Sequence, residues 1–250
     1  MIDLSLIWIA IIGLGVLVYT ILDGFDLGIG ILFPFFPHQD ERDVMMNTVA
    51  PVWDGNETWM VLGGAGLSAA FPLAYSTVVS ASYMPIILMV IALIFRGVAF
   101  EFRFKANRSK HWWDKAFIGG SVLTSFLQGM ILGAYIQGIE TRNGVYVGGG
   151  LDWLSPFSIF TGISVVVLYA ALGCGWLIYK TGDDLQDRMF KLMPKLIIAL
   201  LIILAGVSIY TPLTHPQIAE RWFSQPQLTY FFSFSILVLL FTWLALRACK

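Results

Sequence analysis

Long apolar stretches dominate this chain, and polar residues interrupt them at regular intervals. Seven stretches approach the ~20 residues a helix needs to cross a bilayer. They run roughly over Ser5–Ile31, Glu57–Val79, Tyr83–Phe100, Ala116–Gly138, Phe157–Tyr179, Leu196–Tyr210 and Thr229–Leu246. Proline punctuates their ends: Pro85, Pro156 and Pro194 lie near starts, Pro72 and Pro212 near stops. Small residues recur at close-packing spacing, as in Gly24-xxx-Gly28 and Gly129-xxx-Gly133, which predicts tight helix contacts. The pattern predicts an all-α polytopic membrane helix bundle, with residues 1–250 as a single integral membrane domain.

Composition supports this. Of 250 residues, 58% are hydrophobic and 12% charged, where soluble domains average ~25% charged. A net charge of -1 gives no case for nucleic-acid binding. The start, Met1-Ile2-Asp3, lacks the basic region of a cleaved signal peptide, so the first stretch is expected to remain as a span. Cys174 and Cys249 form no disulfide framework. Trp8, Trp112, Trp113, Trp153 and Trp222 lie near predicted interfaces and read as anchors.

Loop charge predicts orientation. The loop after the third span carries Arg103, Lys105, Arg108, Lys110 and Lys115. The loop after the fifth carries Lys180, Arg188, Lys191 and Lys195, and Arg42, Arg247 and Lys250 fall on the same side. Only Arg142 and Arg221 fall on the other. Basic residues mark the cytoplasmic face, so the N-terminus is expected outside.

Against this background the acids stand out. Asp23 and Asp26 sit late in the first span, and Asp54 and Glu57 open the second, each pair at i,i+3 on one helix face. Glu101 closes the third span, with Arg96 about one turn earlier. All five acids are expected near the cytoplasmic face, where a row of carboxylates suits proton uptake. The alternative is that Asp54 caps its helix and that Asp23 and Asp26 order a glycine-rich helix end. Arg96 reads either as a snorkelling side chain or as a neutralising partner of a buried acid. His38, His111 and His215 all fall in predicted loops, so no mid-span histidine offers a haem ligand. Met60, Met84, Met89 and Met130 read as packing residues. No phosphate loop, zinc spacing, other metal site or nucleophile triad is present, and no catalytic residue is assigned.

Three segments together resemble the small subunit, subunit II, of cytochrome bd-type quinol oxidases, including the cyanide-insensitive branch. They are Asp23-Gly24-Phe25-Asp26-Leu27-Gly28, Ala50-Pro51-Val52-Trp53-Asp54-Gly55-Asn56 and Phe95-Arg96-Gly97-Val98-Ala99-Phe100-Glu101-Phe102-Arg103. Leu154-Ser155-Pro156-Phe157 is also similar, and the resemblance runs essentially end to end. It implies a subunit built of two helix bundles in the bacterial cytoplasmic membrane, partnered by a large haem-bearing subunit I. The complex would oxidise quinol and reduce dioxygen to water. Haems b and d would belong to the partner, and none would be bound by this chain. A structural quinone, a lipid contact and a small accessory subunit stay open.

The resemblance maps a cytoplasmic proton path onto Asp54 and Glu101, and Asp26 lies in a family motif; the residue pattern adds Asp23 and Glu57 to the path and Arg96 as charge partner. This chain has Glu101 where some members have Asp, and Gly97 where some have Pro. Members usually carry about two further spans past the seventh; a C-terminally truncated chain, a fragment and a short variant stay open. Two rival readings remain: a stand-alone proton-coupled transporter and a purely structural subunit.

Overall fold

A computed structural model describes residues 3–249; Met1, Ile2 and the expected cytoplasmic Lys250 lie outside the described residues. The helices are α1 (Leu4–Leu32), α2 (Gln39–Asn47), α3 (Trp53–Ala70), α4 (Pro72–Arg103), α5 (Lys110–Gln137), α6 (Pro156–Lys180), α7 (Asp183–Thr214), α8 (Pro216–Trp222) and α9 (Gln227–Ala248). A 3-10 turn, Phe33–Phe35, extends α1. Among the described residues, six helices are long and apolar enough to cross a membrane: α1, α4, α5, α6, α7 and α9. At 18 residues, α3 falls where the second span was expected, but Asp54, Asn56 and Glu57 in its first turns make it more polar. The all-α polytopic bundle read from the sequence is present, and the chain is an integral membrane protein.

One boundary moves. The sequence placed the break between second and third spans at Val79–Tyr83; the chain breaks at Phe71 (φ -137°, ψ 63°). Pro72 explains this. A residue before proline is driven out of the α region, and proline suits the first turn of a new helix. Thus α4 begins at Pro72 and kinks at Ser82 (φ -117°, ψ 17°), three residues before Pro85, without ending. Pro194 lies inside α7, well past its start, while Pro212 lies in its last turn, near the expected stop. Two short features lie in stretches expected to be loops: α2, and a hairpin of Thr141–Arg142 with Val145–Tyr146. Asn143 (φ 52°) and Gly144 (φ 77°) close that hairpin in the left-handed region it requires.

The chain divides into two compact units, residues 1–181 and 182–250. In the first, α4 packs on α5, α5 on α6 and α6 on α1, α1 also meets α5, and α3 packs against both α1 and α4. Glycine sets the closeness of two crossings. A Cβ on Gly28 of α1 would run into the Tyr169 carbonyl and lie 2.8 Å from the Gly173 amide nitrogen of α6. A Cβ on Gly129 would lie 2.7 Å from Gly162 Cα, and one on Gly133 would meet Ser158 Cα at 2.6 Å, bringing α5 onto α6. Both predicted small-residue pairs therefore sit at helix contacts. Ser155 caps α6 in a reciprocal capping box with Ser158. In the second unit α8 packs with both α7 and α9.

Candidate functional site

Three helices of the first unit turn one face each to the interior. On α4, Arg103, Phe100 and Arg96 follow at three- and four-residue steps; on α5, Asp114, Phe117 and Ser121 do the same. Residues at these spacings stack along one face, so side chains of like character meet in layers.

The outermost layer is a charge clamp. Arg103, fully buried, donates from all three guanidinium nitrogens. Nε reaches Asp114 at 2.5 Å, Nη1 reaches Asp43 at 2.5 Å, and Nη2 reaches Gln39 Oε1 at 2.9 Å. Arg42 Nη1 and Gln39 Nε2 both donate to the second oxygen of Asp114 at 2.8 Å. Lys110 donates to Asp43 at 2.8 Å. The clamp ties α2 to the end of α4 and the start of α5. Asp43 lies outside the spans. Burial works against its ionisation, yet hydrogen bonds from Lys110 and Arg103 hold its carboxyl below the usual carboxylate range.

Next comes an aromatic layer. Phe117 meets Phe33 edge-on at 4.8 Å between ring centroids and Phe100 at 5.1 Å. All three rings are buried.

Beyond it lies the acid cluster. Arg96 is fully buried, as are Asp23 and Asp26. Arg96 Nη1 lies 2.5 Å from Glu57 Oε1 and 3.1 Å from Asp23 Oδ1, and Nη2 lies 3.8 Å from Asp26 Oδ2. Asn56 donates its amide to Asp26 at 2.8 Å. Unlike Arg103, this guanidinium is incompletely satisfied. Among the described residues, Arg96 Nε and Nη2, both oxygens of Asp23 and Asp26 Oδ1 have no hydrogen-bond partner. The hydroxyls of Ser121 and Thr124 on α5 are buried in the same condition. A further layer, one turn along α1 from Asp23, joins Gln128 Nε2 to Tyr19 Oη at 2.5 Å and Tyr169 Oη to Gln128 Oε1 at 2.7 Å.

Of the five expected acids, the fold therefore gathers Asp23, Asp26 and Glu57 around Arg96, which is a neutralising partner and does not snorkel. Asp23 and Asp26 lie inside α1, which continues to Leu32, so they do not order its end. Asp54 and Glu101 are exposed. No side chain caps α3, and Asp54 stands in its first turn. Glu101 pairs with Lys105 at 3.5 Å on the surface. The two acids flank a stacked pair, Trp53 and Phe100, whose rings lie 5.0 Å apart at 8°. His38 and His111 are exposed at helix starts, and His215 precedes α8. All three histidines thus lie outside the buried layers of the bundle.

Asn56, Asp114 and the Tyr19–Gln128–Tyr169 chain were not singled out in the sequence. Gln128 carried a signal, as a lone amide in an apolar span. Asp114, placed before the predicted fourth span, carried none beyond its charge.

The chain is thus a polytopic membrane protein whose helices enclose a buried ion cluster. The family model of cytochrome bd terminal oxidase subunit II matches residues 4–250, and the chain belongs to that family. It is 34% identical over 199 residues to the cytochrome bd ubiquinol oxidase subunit 2 of Bacillus subtilis (strain 168), covering 78% of this chain and 58% of the relative. It is 30% identical over 218 residues to a probable cytochrome oxidase subunit 2 of Haemophilus influenzae, covering 83% and 58%. Against the cytochrome bd-I ubiquinol oxidase subunit 2 of Escherichia coli (strain K12), identity is 33% over 193 residues, covering 74% and 51%. The matched regions thus span between half and three fifths of these relatives.

Proposed function

We propose that this chain serves as subunit II of a quinol:dioxygen oxidoreductase in the bacterial cytoplasmic membrane, acting there as one integral membrane domain. Its partner is a large subunit I carrying haems b and d, where quinol is oxidised and dioxygen reduced to water. Lipid and quinol surround the complex, and a small accessory subunit is compatible with it. This chain contributes no catalytic residue. It supports the haem subunit and helps deliver protons from the cytoplasmic side.

The observation that carries this reading is the Arg96 cluster. One guanidinium faces three carboxyls. Buried charge without a partner is costly, so a proton held among the three lowers the excess negative charge. Carboxyl oxygens and hydroxyls with unmet hydrogen-bonding capacity also suit water, which can connect them. Asp54 and Glu101 flank the aromatic stack joining α3 to α4 and form the surface end of the path. Asp26, Asp23 and Glu57 form its buried end, with Arg96 as counter-ion.

The test is turnover per haem in the assembled complex. Asp26→Asn preserves shape and removes the exchangeable proton. It should slow oxygen reduction by tenfold or more, about 1.4 kcal/mol in the barrier, with haem content retained. Normal turnover per haem would leave the cluster as a structural ion pair.

A further inference from the structure

The two buried charge clusters are close along the bundle axis, yet aromatic rings separate them. The Arg103 guanidinium lies 5.5 Å from the Phe33 ring centroid, and the Arg96 guanidinium lies 5.7 Å from the Phe100 centroid. Phe117 touches both of those rings edge-on. Phe33 and Phe117 are 0% exposed and Phe100 5%. Phenylalanine neither donates nor accepts a conventional hydrogen bond. Rings in contact leave no polar site where a water could find the two to four partners it needs. On α5 the polar positions Asp114 and Ser121 are interrupted by Phe117 between them. The three rings therefore stand between the Arg103 clamp and Arg96.

The cluster opens elsewhere. The side chains of Arg96, Asp23 and Asp26 are 0% exposed, while that of Glu57 is 22% exposed. Glu57 comes from α3, which packs against both α1 and α4. Asp54, exposed and three residues earlier on α3, is its electrostatic neighbour.

We propose that Glu57 is the port through which protons pass between the surface of α3 and the Arg96 cluster, and that the Phe33–Phe117–Phe100 layer seals the cluster against the Arg103 clamp. In the transfer, the proton leaves the Glu57 carboxyl and is taken up by Asp26. Glu57 is left as a carboxylate beside Arg96 and takes the next proton from the surface side. The total charge of the cluster is unchanged by the internal step. The inference rests on the proton-delivery reading above.

The experiment uses the assembled complex, with turnover measured per haem. Glu57→Gln should slow turnover at least tenfold. Adding Phe117→Ala to Glu57→Gln should open the sealed route and raise turnover at least threefold over Glu57→Gln alone. A smaller loss in Glu57→Gln, with Asp26→Asn still slow, overturns the port and leaves proton delivery standing. Normal turnover in Asp26→Asn overturns proton delivery itself. No gain from Phe117→Ala in an assembled complex overturns the seal.

Should Phe117→Ala fail to assemble, reagent access decides. In a chain with Cys174 and Cys249 replaced by alanine, Ser121→Cys should react with a small methanethiosulfonate at least thirtyfold more slowly than Lys105→Cys. A smaller difference overturns the seal.

Discussion

Arg96 Nη1 lies 2.5 Å from Glu57 Oε1, so a fully buried guanidinium is joined to a carboxylate that reaches the protein surface. That contact joins α4 to α3. The neighbouring Arg103 is equally buried but spends all three nitrogens on hydrogen bonds within the clamp. Two arginines two turns apart on one helix thus have opposite characters: one is fully occupied, the other retains unmet capacity.

Replacing Arg96 should be severely destabilising. Arg96→Gln leaves Asp23, Asp26 and Glu57 without their cation, and breaking a buried pair costs about 3–5 kcal/mol. Arg96→Lys should recover only part, because a point charge cannot address several carboxyls as a planar fork does. Adding Asp23→Asn to Arg96→Gln should recover more than ~1 kcal/mol of the loss, measured as a double-mutant cycle on thermal unfolding of the solubilised complex.

Gly28→Ala should weaken the contact of α1 with α6, since the added methyl meets the Tyr169 carbonyl. A cost of about 1–3 kcal/mol is expected from overpacking. Gly13 is the control. A Cβ there meets nothing within 4 Å, so Gly13→Ala should be neutral or stabilising. Unfolding midpoints of the two variants check this.

The clamp at Asp43 should depend on pH in one direction. Its folded pKa is depressed, so its contribution is fully present above the unfolded value near ~3.9 and is lost as pH falls through the lower folded value. Asp43→Asn should therefore cost about 1 kcal/mol at pH 7 and about the same at pH 5. The difference from wild type should shrink only below about pH 4. Thermal unfolding of both proteins across that range gives the comparison.

Asp54→Asn and Glu101→Gln should separate stability from turnover. Both side chains are exposed, so unfolding should shift by no more than ~0.5 kcal/mol. If both serve the surface end of the path, turnover per haem should fall by about tenfold in each. Unchanged turnover would confine the path to the buried acids.

Orientation is testable in intact cells. The hairpin around Arg142 should lie outside and the segment around Arg108 inside, following the basic-residue bias. A cysteine beside Arg142 should react with an impermeant reagent and one beside Arg108 should not. The opposite pattern would reverse the proton path.

Much of this was legible in the chain because its causes are local. Apolar length specifies helices in any protein that must satisfy its backbone within a bilayer. Pro72 moved a helix boundary through its immediate geometry, even though the hydrophobic pattern had suggested a later break. The i,i+3 spacing of Asp23 with Asp26, and of Asp54 with Glu57, correctly marked acids on common helix faces. The Gly24 and Gly129 patterns marked helix contacts.

What the sequence could not decide was which of those acids would be buried together. Asp23 and Asp54 look alike along the chain, each an acid followed by glycine in an apolar setting. One ends fully buried facing Arg96; the other ends exposed. That difference is made by which face of α1 and α3 meets α4, a relation between segments distant in sequence. The division of Arg96 from Arg103 has the same origin. Phe33, Phe100 and Phe117 come from three separate elements, and only the packing of those elements stacks their rings into one layer between two charges.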